Sequence, residues 1–287
     1  MIFIVIPSFN EKKYIKNLLN DLSIQTFIDY KIIISDNGST DGTIDYLKRN
    51  KKVILIQNNS KFWWTKSTNA GVKYAIKHSN KGDFILTLNC DLSIEKDYLK
   101  NIILSSKKNE NALIGSLDVD IETKKISFGG VTVNEINAKY HNINYNEKMS
   151  SLNLFQEKIS DFLPGRGTLV PIEVYETIGL YDEKLPHYGS DYEFSNRAKK
   201  NNYKLIVDYK SHVFSFNSNS GLNNILNEIT FFEFISSFFT KKSPSNIFYR
   251  TIFIYKCFPK RYFIIHLICD FARSLGGSLL RQLKIKK

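Results

Sequence analysis

Two apolar stretches of the sequence end in an acidic residue, a pattern that suits the binding of metals and nucleotides. The run at 84–88 predicts a buried strand of a parallel sheet, and Asp91 follows it. In open α/β sheets ligands bind at the carboxyl edge, where an Asp beside a phosphate is a natural ligand for Mg²⁺ or Mn²⁺. Asp36 follows a similar stretch at 31–35, and we expect it to accept hydrogen bonds from a base or ribose. The alternative for Asp36 is a turn residue that bonds its own backbone.

The elements that would position these acids alternate between strand and helix. Apolar runs predict strands at 2–6, 31–35, 53–57 and 83–88, and helical spacing predicts helices that begin near Glu11, after the turn residues at 36–43, and at 67. We expect Ser39 or Thr40 to cap the second helix and Ser67 to cap the third. The alternation predicts a doubly wound α/β fold with right-handed crossovers.

Beyond residue 94 the predicted elements are more varied. The pattern predicts a helix at 95–107, a strand at 112–117, a hairpin over 124–133, a loop over 134–158, a strand broken by glycines at 162–171, a helix at 173–178, a helix that ends near 201 and a strand at 203–208. The polar loop is a candidate cover for a site at the sheet edge.

The composition favours a globular protein with an anionic partner. The 287 residues are 43% hydrophobic and carry a net charge of +12, which suits nucleic acid, a lipid surface or a phosphorylated substrate. The three scattered cysteines fit neither a metal site nor a disulfide framework and suggest a reducing cytosol. The amino-terminal run stops at Pro7 and reads as a strand, not a signal peptide. No apolar run reaches the ~18 residues that a spanning helix needs.

Three motifs together resemble the nucleotide-binding half of family 2 glycosyltransferases, which are inverting enzymes with the GT-A fold. They are VIPSFNE at 5–11, ISDNGSTDGT at 34–43 and LNCD at 88–91, and the resemblance covers about residues 1–115. It implies a Rossmann-like, mostly parallel sheet flanked by helices. It also implies that Asp91 is the last acid of a DxD-type motif for Mn²⁺ or Mg²⁺. The implied nucleotide contacts are Pro7, Ser8, Asn10, Glu11, Asp36, Asn69, Asn89 and Cys90.

Two positions depart from the family pattern. Asn89 stands where the metal motif usually has an Asp, and an amide oxygen is a weaker, uncharged ligand. Thr68 stands where many members have an Arg before Asn69. We therefore expect fewer protein charges around the metal and the phosphates than the family pattern supplies.

The paired tryptophans, Trp63 and Trp64, resemble the loop that faces the donor sugar in rhamnosyltransferase-like members. The alternative for a Trp pair is packing, although sugar C–H faces also stack on indole rings. On the acceptor side, the predicted contacts with acceptor or donor sugar are Arg166, Gly167, Thr168, Tyr188 and Glu193. Arg166 is the candidate for a phosphate or an acceptor hydroxyl, and its alternative is a solvated turn residue.

Asp191 matches the family's general base, in the segment Ser190-Asp191-Tyr192-Glu193 at the start of a helix. Inverting transfer needs a carboxylate that removes the acceptor proton during in-line attack. Its alternative is an acid placed favourably in the first turn of a helix. By resemblance, His212 completes the metal shell, and its alternative is a structural His.

The last part of the sequence is rich in aromatic and basic residues, which fits either membrane-surface binding or a helical cap. We predict a GT-A catalytic domain at 1–220, divided into a nucleotide-binding half (1–115) and an acceptor half (116–220), and a helical C-terminal region at 221–287. The expected location is cytoplasmic, at the inner face of the membrane.

The predicted activity is transfer of a sugar, of the hexosyltransferase type, from a nucleoside-diphosphate sugar to a hydroxyl of a saccharide or lipid-linked acceptor in surface-glycan synthesis. One alternative is a sugar-phosphate nucleotidyltransferase, which would need a Gly-rich, basic loop after the first strand. Residues 7–11 do not provide that loop. The other alternative is a non-catalytic nucleic-acid-binding protein, which would have no use for Asp36, Asp91 and Asp191. No nucleic-acid partner is expected.

Overall fold

The computed structural model describes residues 1–216 and 235–285, with side chains up to residue 276. Its strands are β1 (Ile2–Ser8), β2 (Tyr30–Asp36), β3 (Val53–Gln57), β4 (Phe84–Thr87), β5 (Leu92–Ile94), β6 (Ala112–Asp120), β7 (Ile126–Phe128), β8 (Val131–Val133), β9 (Tyr140–Asn142), β10 (Glu157–Ile159), β11 (Thr168–Pro171) and β12 (Lys204–Ser215). Its α-helices are α1 (Lys12–Ser23), α2 (Thr43–Lys48), α3 (Trp64–His78), α4 (Tyr98–Lys108), α5 (Ile172–Ile178), α6 (Ser190–Lys200), α7 (Ile247–Cys257) and α8 (Phe263–Ile285).

One mixed sheet organises the molecule, in the order β10-β12-β6-β11-β4-β1-β2-β3. The strands β4, β1, β2 and β3 run parallel, as the alternating pattern predicted. The strand β11 is antiparallel to both of its neighbours, β4 and β6, and β12 is parallel to β6. The prediction of a mostly parallel α/β sheet is therefore confirmed.

Alternating side chains of β1 supply the cores on the two faces of the sheet. Phe3 and Val5 pack in one core with Val72 of α3, whereas Ile4 and Ile6 lie in the other core with side chains of α1 and α4. This alternation is the period of two that a strand buried on both faces requires. It fixes α3 on one face and α1 and α4 on the other.

Several predicted local features are wrong. The helix α3 begins at Trp64, so Ser67 lies inside it, where its hydroxyl donates to the Ser35 carbonyl at 2.7 Å. Gly42 precedes α2 in a left-handed conformation, so neither Ser39 nor Thr40 is the cap. The strands β7 and β8 do not pair as a hairpin: β7 pairs with β6, and β8 pairs with β9. Non-local pairing outweighs the local turn signal here.

The described part of the C-terminal region packs on the predicted acceptor half. Lys256 of α7 forms a salt bridge with Asp182 at 2.5 Å, and the Asn196 amide of α6 donates to the Cys257 carbonyl at 3.4 Å. His266 of α8 is fully buried and bonds the Glu135 carbonyl at 2.8 Å. The boundary predicted at residue 221 lies outside the described residues.

Candidate functional site

The turn at 36–43, here called the Asp36 turn, is built around one buried carboxylate. Oδ1 of Asp36 accepts the backbone N–H groups of Gly38 and Ser39 at 3.0 and 2.8 Å. Oδ2 accepts the hydroxyls of Ser8 and Ser39 at 3.0 and 2.6 Å. Four donors from the chain itself therefore satisfy Asp36, and its first role is to fix this turn against β1.

The loop after β1 is locked to the Asp36 turn. Asn10 has a positive φ of 56°, and its amide oxygen accepts the Thr40 N–H at 2.7 Å. The Asn10 N–H donates to the Ser39 hydroxyl at 2.8 Å. Pro7 pairs with Ser35 in the sheet, and its carbonyl accepts the buried Cys90 thiol at 3.2 Å. Four predicted nucleotide contacts, Pro7, Ser8, Asn10 and Cys90, thus form one wall with the Asp36 turn.

Glu11 follows this wall in the chain, and its carboxyl has a raised pKa. Burial and, to a lesser degree, the nearby charge of Asp91 together raise the pKa of its carboxyl to about 7, while a hydrogen bond from Cys90 opposes the shift. Glu11 and Asp91 therefore lie close enough to feel each other's charge. A cation brought by a ligand would be favoured between them.

Trp64, at the start of α3, joins the nucleotide side to the predicted catalytic acid. Its indole N–H donates to the amide oxygen of Asn89 at 3.0 Å. The Trp64 ring packs so tightly on Gly165 that a Cβ there would lie 2.4 Å from the ring. Asn89 is thus engaged with Trp64, and Gly165 is required by close approach.

Asp191 lies in the first turn of α6, on the other side of Gly165. Its Oδ2 accepts the Gly165 N–H at 2.9 Å. The first turns of α3 and α6 are tied together, because the buried Thr65 hydroxyl donates to the Ser190 hydroxyl at 2.8 Å. Burial raises the pKa of Asp191, although backbone donors and Arg166 oppose the shift.

Arg166 is the positive centre of the site. Its guanidinium Nη1 lies 3.1 Å from Oδ2 of Asp118, a carboxylate that is 2% exposed. Burial lowers the pKa of Arg166, but Asp118, Asp91 and Asp191 act in the opposite direction and the net shift is upward. We call these four residues, Arg166 with Asp91, Asp118 and Asp191, the Arg166 cluster.

The carboxylates of the Arg166 cluster outnumber its one guanidinium. Burial raises the pKa of Asp91 and of Asp118, and the charge of Arg166 opposes the shift in both cases. The Oδ1 atom of Asp118 is buried and has no hydrogen-bond partner among the described residues. The cluster therefore holds uncompensated negative charge next to the nucleotide wall, where a cationic or proton-donating ligand would be stabilised.

Asp118 was missed in the sequence. It stands inside the apolar stretch of β6, where Asp118 pairs with Val213 of β12 on one side and with Phe128 of β7 on the other. An acid within a run that otherwise reads as a buried strand is the signal that could have found it, because such a charge needs a partner. Its partner, Arg166, is remote in sequence and is brought beside it by the loop that leads into β11.

Three other predicted site residues have structural contacts instead. The Asn69 amide bonds both backbone groups of Tyr181 at 2.9 and 3.1 Å. The Thr168 hydroxyl donates to the Pro164 carbonyl at 2.7 Å and is buried. Glu193 is 2% exposed, and its carboxylate accepts a hydrogen bond from Arg197 Nε at 2.8 Å. These contacts do not support roles for Asn69, Thr168 or Glu193 in ligand binding.

Gly167 has a backbone role. It has a φ of +78°, and a Cβ there would lie 2.8 Å from the Ser116 hydroxyl oxygen. Only glycine fits this turn, which places Arg166 over β6. Gly167 is therefore needed for the position of its neighbour and not for a side-chain contact.

His212 is not brought to Asp91. The strands β5 and β12 pair with Ile94 opposite Val213 and Leu92 opposite Ser215, so His212 lies at the Glu95 end of β5 and Asp91 at the other end. His212 Nε2 is 3.3 Å from Glu95 Oε2. The register therefore does not support a metal shared by His212 and Asp91.

Trp63 and Tyr188 lie at the rim of the site. The Trp63 ring meets the His187 ring edge-to-face with centroids 5.7 Å apart, and His187 in turn contacts Tyr188 at 4.5 Å. Burial raises the pKa of Tyr188, and the charge of Arg166 opposes the shift. Tyr188 is thus close enough to Arg166 for its charge to act on the hydroxyl, and its role as a contact with the acceptor or donor sugar stays a prediction.

Comparison with known proteins decides the family. Residues 3–156, more than half of the chain, match Glycosyl transferase family 2. The chain belongs to this family. The prediction made from the three motifs is therefore confirmed at the level of the family.

Two curated relatives match most of the chain. One is a dolichyl N-acetyl-α-D-glucosaminyl phosphate 3-β-D-2,3-diacetamido-2,3-dideoxy-β-D-glucuronosyltransferase of Methanococcus voltae, 28% identical over 72% of this chain and 64% of its own length. The other is the succinoglycan biosynthesis protein ExoA of Rhizobium meliloti, 26% identical over 73% of this chain and 61% of its own length. The matched region is less than two thirds of either relative.

Solved structures of low sequence identity share the fold. Residues 1–349 of TarS from S. aureus superpose with a TM-score of 0.55 at 16% identity, covering 96% of this chain and 91% of that one. GalNAc-T7, solved with UDP, GalNAc and Mn²⁺, superposes with a TM-score of 0.61 at 14% identity, covering 95% of this chain and 57% of that one. The family 2 chain described here thus has the GT-A fold, as predicted.

The residues present fit a divalent ion only if a ligand completes its shell. Within residues 1–216 and 235–285, no group of three or more His, Cys, Asp or Glu is placed to hold a metal ion. Asp91 offers one carboxylate, and Glu11 and Asp118 lie close enough to interact with its charge. Proteins often bind Mg²⁺ in this way, with one or two carboxylates together with the phosphates of the substrate. The orphaned Oδ1 of Asp118 agrees with missing positive charge at this place.

Proposed function

We propose that this family 2 protein transfers a sugar, with inversion, from a nucleoside-diphosphate sugar to a hydroxyl of a saccharide or lipid-linked acceptor. The observation that carries the proposal is the Arg166 cluster. It joins a strand-end acid, a guanidinium and an acid at a helix start within one charge network. Two of its acids, Asp91 and Asp191, are the residues that the family resemblance implied.

Asp191 is the proposed general base. Its carboxylate is held by the Gly165 N–H at 2.9 Å, so its orientation is fixed before an acceptor arrives. Burial raises its pKa, which brings the carboxylate nearer to the basicity that proton removal at neutral pH requires. Asp191 would take the acceptor proton while the acceptor oxygen bonds the anomeric carbon and the diphosphate leaves with the electrons of the broken bond.

Arg166 and Asp91 are proposed to receive the donor's diphosphate. The guanidinium of Arg166 can form paired hydrogen bonds with phosphate oxygens and oppose the charge that grows on the leaving group. Asp91 would hold Mg²⁺ or Mn²⁺ together with those oxygens, and this ion would supply further stabilisation of the leaving group. The wall formed by the Asp36 turn would place the nucleoside.

A screen for donor use tests this proposal. The protein is incubated with UDP-, dTDP- and GDP-sugars and Mn²⁺ or Mg²⁺, and release of the nucleoside diphosphate is measured with and without saccharide acceptors. We expect one donor to be bound and turned over in the presence of metal. If none of them binds or reacts, the proposed activity is wrong.

We further propose that the C-terminal helices rest on an anionic membrane surface. Of the helices in the described part of the chain, none is long and apolar enough to cross a bilayer. The exposed apolar side chains in the described part of this region are Ile235, Phe239, Phe248, Tyr255, Ile264, Ile265, Ile268 and Phe271. Exposed bases accompany them at Lys241, Lys242, Lys260, Arg261 and Arg273. Apolar side chains beside bases are typical of helices that lie in a membrane interface.

Vesicle sedimentation tests the membrane proposal. The full chain should bind vesicles of phosphatidylglycerol more strongly than vesicles of phosphatidylcholine. The double substitution Ile264→Glu and Ile268→Glu should remove most of this binding, whereas Ile28→Glu, at a residue that is 84% exposed on the catalytic part, should not. Equal binding by all three proteins would contradict an interfacial role for α8. The three free cysteines, Cys90, Cys257 and Cys269, support a cytosolic location for this surface.

A further inference from the structure

A cavity of about 220 Å³ lies between the start of α6, the β8–β9 segment and the C-terminal helices. It is far larger than the ~10–15 Å³ that one water molecule needs. Tyr188 lines it from the turn before α6, and Tyr192 lines it from α6 itself. The other polar side chains of the wall include Tyr140 of β9 and Tyr249 and Arg250 of α7. The family match ends at residue 156, and among the lining residues only Tyr188 has a role predicted from the sequence, as a contact with the acceptor or donor sugar.

The cavity lies beside the helix start that carries the proposed base, although Asp191 itself does not line it. Tyr188, Gly189 and Tyr192 line it, and Asp191 lies between them in the chain. A Cβ at Gly189 would lie 3.1 Å from the ring of Phe253, so α7 sits directly on the turn that starts α6. Because the charge of Arg166 influences Tyr188, this side chain connects the cavity with the Arg166 cluster.

Aromatic rings in fixed orientations form much of the cavity wall. The Tyr192 ring is stacked on Phe162, with centroids 5.1 Å apart and planes 1° from parallel. The Tyr140 ring contacts the same Phe162 at 5.9 Å. A tyrosine offers an apolar face and a hydroxyl, so a wall of tyrosines suits a ligand that is apolar on one face and polar at its edges.

An ion pair supplies the polar part of the wall. Nε of Arg250 lies 2.5 Å from Oδ2 of Asp270, and a second guanidinium nitrogen contacts Oδ1. Arg250 also donates to the Pro244 carbonyl at 3.0 Å, so the pair is rigid. The Asp270 oxygens retain lone pairs that can accept hydrogen bonds from hydroxyl groups.

We propose that this cavity binds a sugar ring of the acceptor and thereby presents the acceptor hydroxyl to Asp191. The inference rests on the proposed transferase function. A pyranose has C–H faces that stack on tyrosine rings and equatorial hydroxyls that donate to a carboxylate such as Asp270. An alkyl chain would use the aromatic wall but would offer no hydrogen bond to the remaining lone pairs of the Asp270 carboxylate. The C-terminal helices are therefore part of the substrate site, and they select the acceptor.

Saturation-transfer NMR on the full chain tests the proposal. The probes are the methyl glycosides of glucose, galactose, N-acetylglucosamine and rhamnose at millimolar concentration, with octanol as the alkyl probe. We expect at least one glycoside to show saturation transfer, and Tyr249→Ala to lower that signal at least fivefold. The control is Tyr255→Ala, at a tyrosine on α7 that is 51% exposed and does not line the cavity. It should keep the wild-type signal.

The outcomes separate this inference from the transferase proposal. Binding of the nucleoside diphosphate found in the donor screen is measured on the same proteins and should be equal in all of them, which also shows that Tyr249→Ala is folded. If no glycoside binds while the nucleotide does, the sugar subsite is wrong and the proposed transferase stands. A glycoside signal that Tyr249→Ala leaves unchanged places the sugar elsewhere, and binding of octanol alone makes the cavity an alkyl site. Both results overturn the inference.

Discussion

The Asp36 turn and the Arg166 cluster use buried carboxylates in opposite ways. Asp36 receives four hydrogen bonds from donors of its own neighbourhood, so its charge is matched inside the chain. In the Arg166 cluster three carboxylates share one guanidinium, and burial raises the pKa of each of them. The first arrangement stabilises a loop in one conformation. The second leaves negative charge that a ligand can compensate.

This difference indicates that the Asp36 turn and the Arg166 cluster have different roles. A carboxylate with all its acceptors used can shape a surface without further reaction, as in the wall that is proposed to place the nucleoside. Carboxylates with too little positive charge around them bind cations and take up protons readily. Substitutions in the Asp36 turn should therefore act on stability, and substitutions in the Arg166 cluster should act first on metal-dependent binding and on transfer.

The largest effect on binding is expected for Asp91→Ala. Loss of this carboxylate should weaken metal-dependent binding of the nucleoside diphosphate by at least the ~10–100-fold that loss of an outer-shell partner causes. Calorimetric titration with and without Mn²⁺ measures it. The binding that persists in EDTA should be the same for wild type and variant. An unchanged response to Mn²⁺ would remove Asp91 from the site.

Asp118→Asn should affect both stability and catalysis. Arg166 is 30% exposed and keeps Asp91 and Asp191 as neighbours, so we expect a loss of about 1–3 kcal/mol, below the ~3–5 kcal/mol typical of a broken buried ion pair. Urea unfolding measures the loss, and KM and kcat for the donor should both change because the guanidinium is less well positioned. Asp45→Asn, at an exposed acid of α2, is the matched control. Equal stability of the two variants would contradict the role of the pair.

Asp36→Asn should destabilise the chain with a smaller effect on transfer. The amide places an NH₂ group against donors that now face a carboxylate oxygen, which costs about 1–3 kcal/mol per unsatisfied buried group. Thermal unfolding should show the loss. Once corrected for the folded fraction, kcat should fall by less than in Asp118→Asn. A folded variant without any transfer would show that Asp36 takes part in the chemistry.

The smallest effect is a change in the pH dependence of stability caused by Glu11→Gln. The pKa of Glu11 is about 7 in the folded chain against an ordinary value of 4.5, so the folded state binds this proton more tightly than the unfolded state. Its favourable contribution is present below pH 4.5 and is lost as the pH rises through 7. The variant should therefore gain stability relative to wild type between pH 4.5 and pH 8. Urea unfolding in EDTA measures this, and parallel pH curves would contradict the raised pKa.

The contact between the loop after β1 and the Asp36 turn could be predicted because each of these two segments is a short, continuous motif. Ser8, Asn10 and Asp36 stand in two short motifs at the ends of adjacent parallel strands, and such ends must meet. The same reasoning located Asp91 after β4. The positions of these residues at the ends of neighbouring strands could be predicted from local pattern and topology, because the strands are continuous and buried.

The acceptor side could not be derived in this way because its contacts are remote in sequence. Asp118 meets Arg166 only because β11 inserts antiparallel between β4 and β6. His212 is separated from Asp91 by a strand register that no local pattern reveals. The cavity beside α6 depends on how α7 packs against Gly189, and the amphipathic pattern of α7 does not specify that contact.

Asp191→Asn tests the division of roles most directly, with donor binding and sugar transfer measured on one preparation. Proton removal by a positioned carboxylate contributes about 10²–10⁴-fold, so transfer should fall by that factor. The affinity for the nucleoside diphosphate with Mn²⁺ should stay within about twofold of wild type. A variant that loses nucleotide binding in parallel with transfer, or that transfers at the wild-type rate, would contradict the assignment of Asp191 as the base.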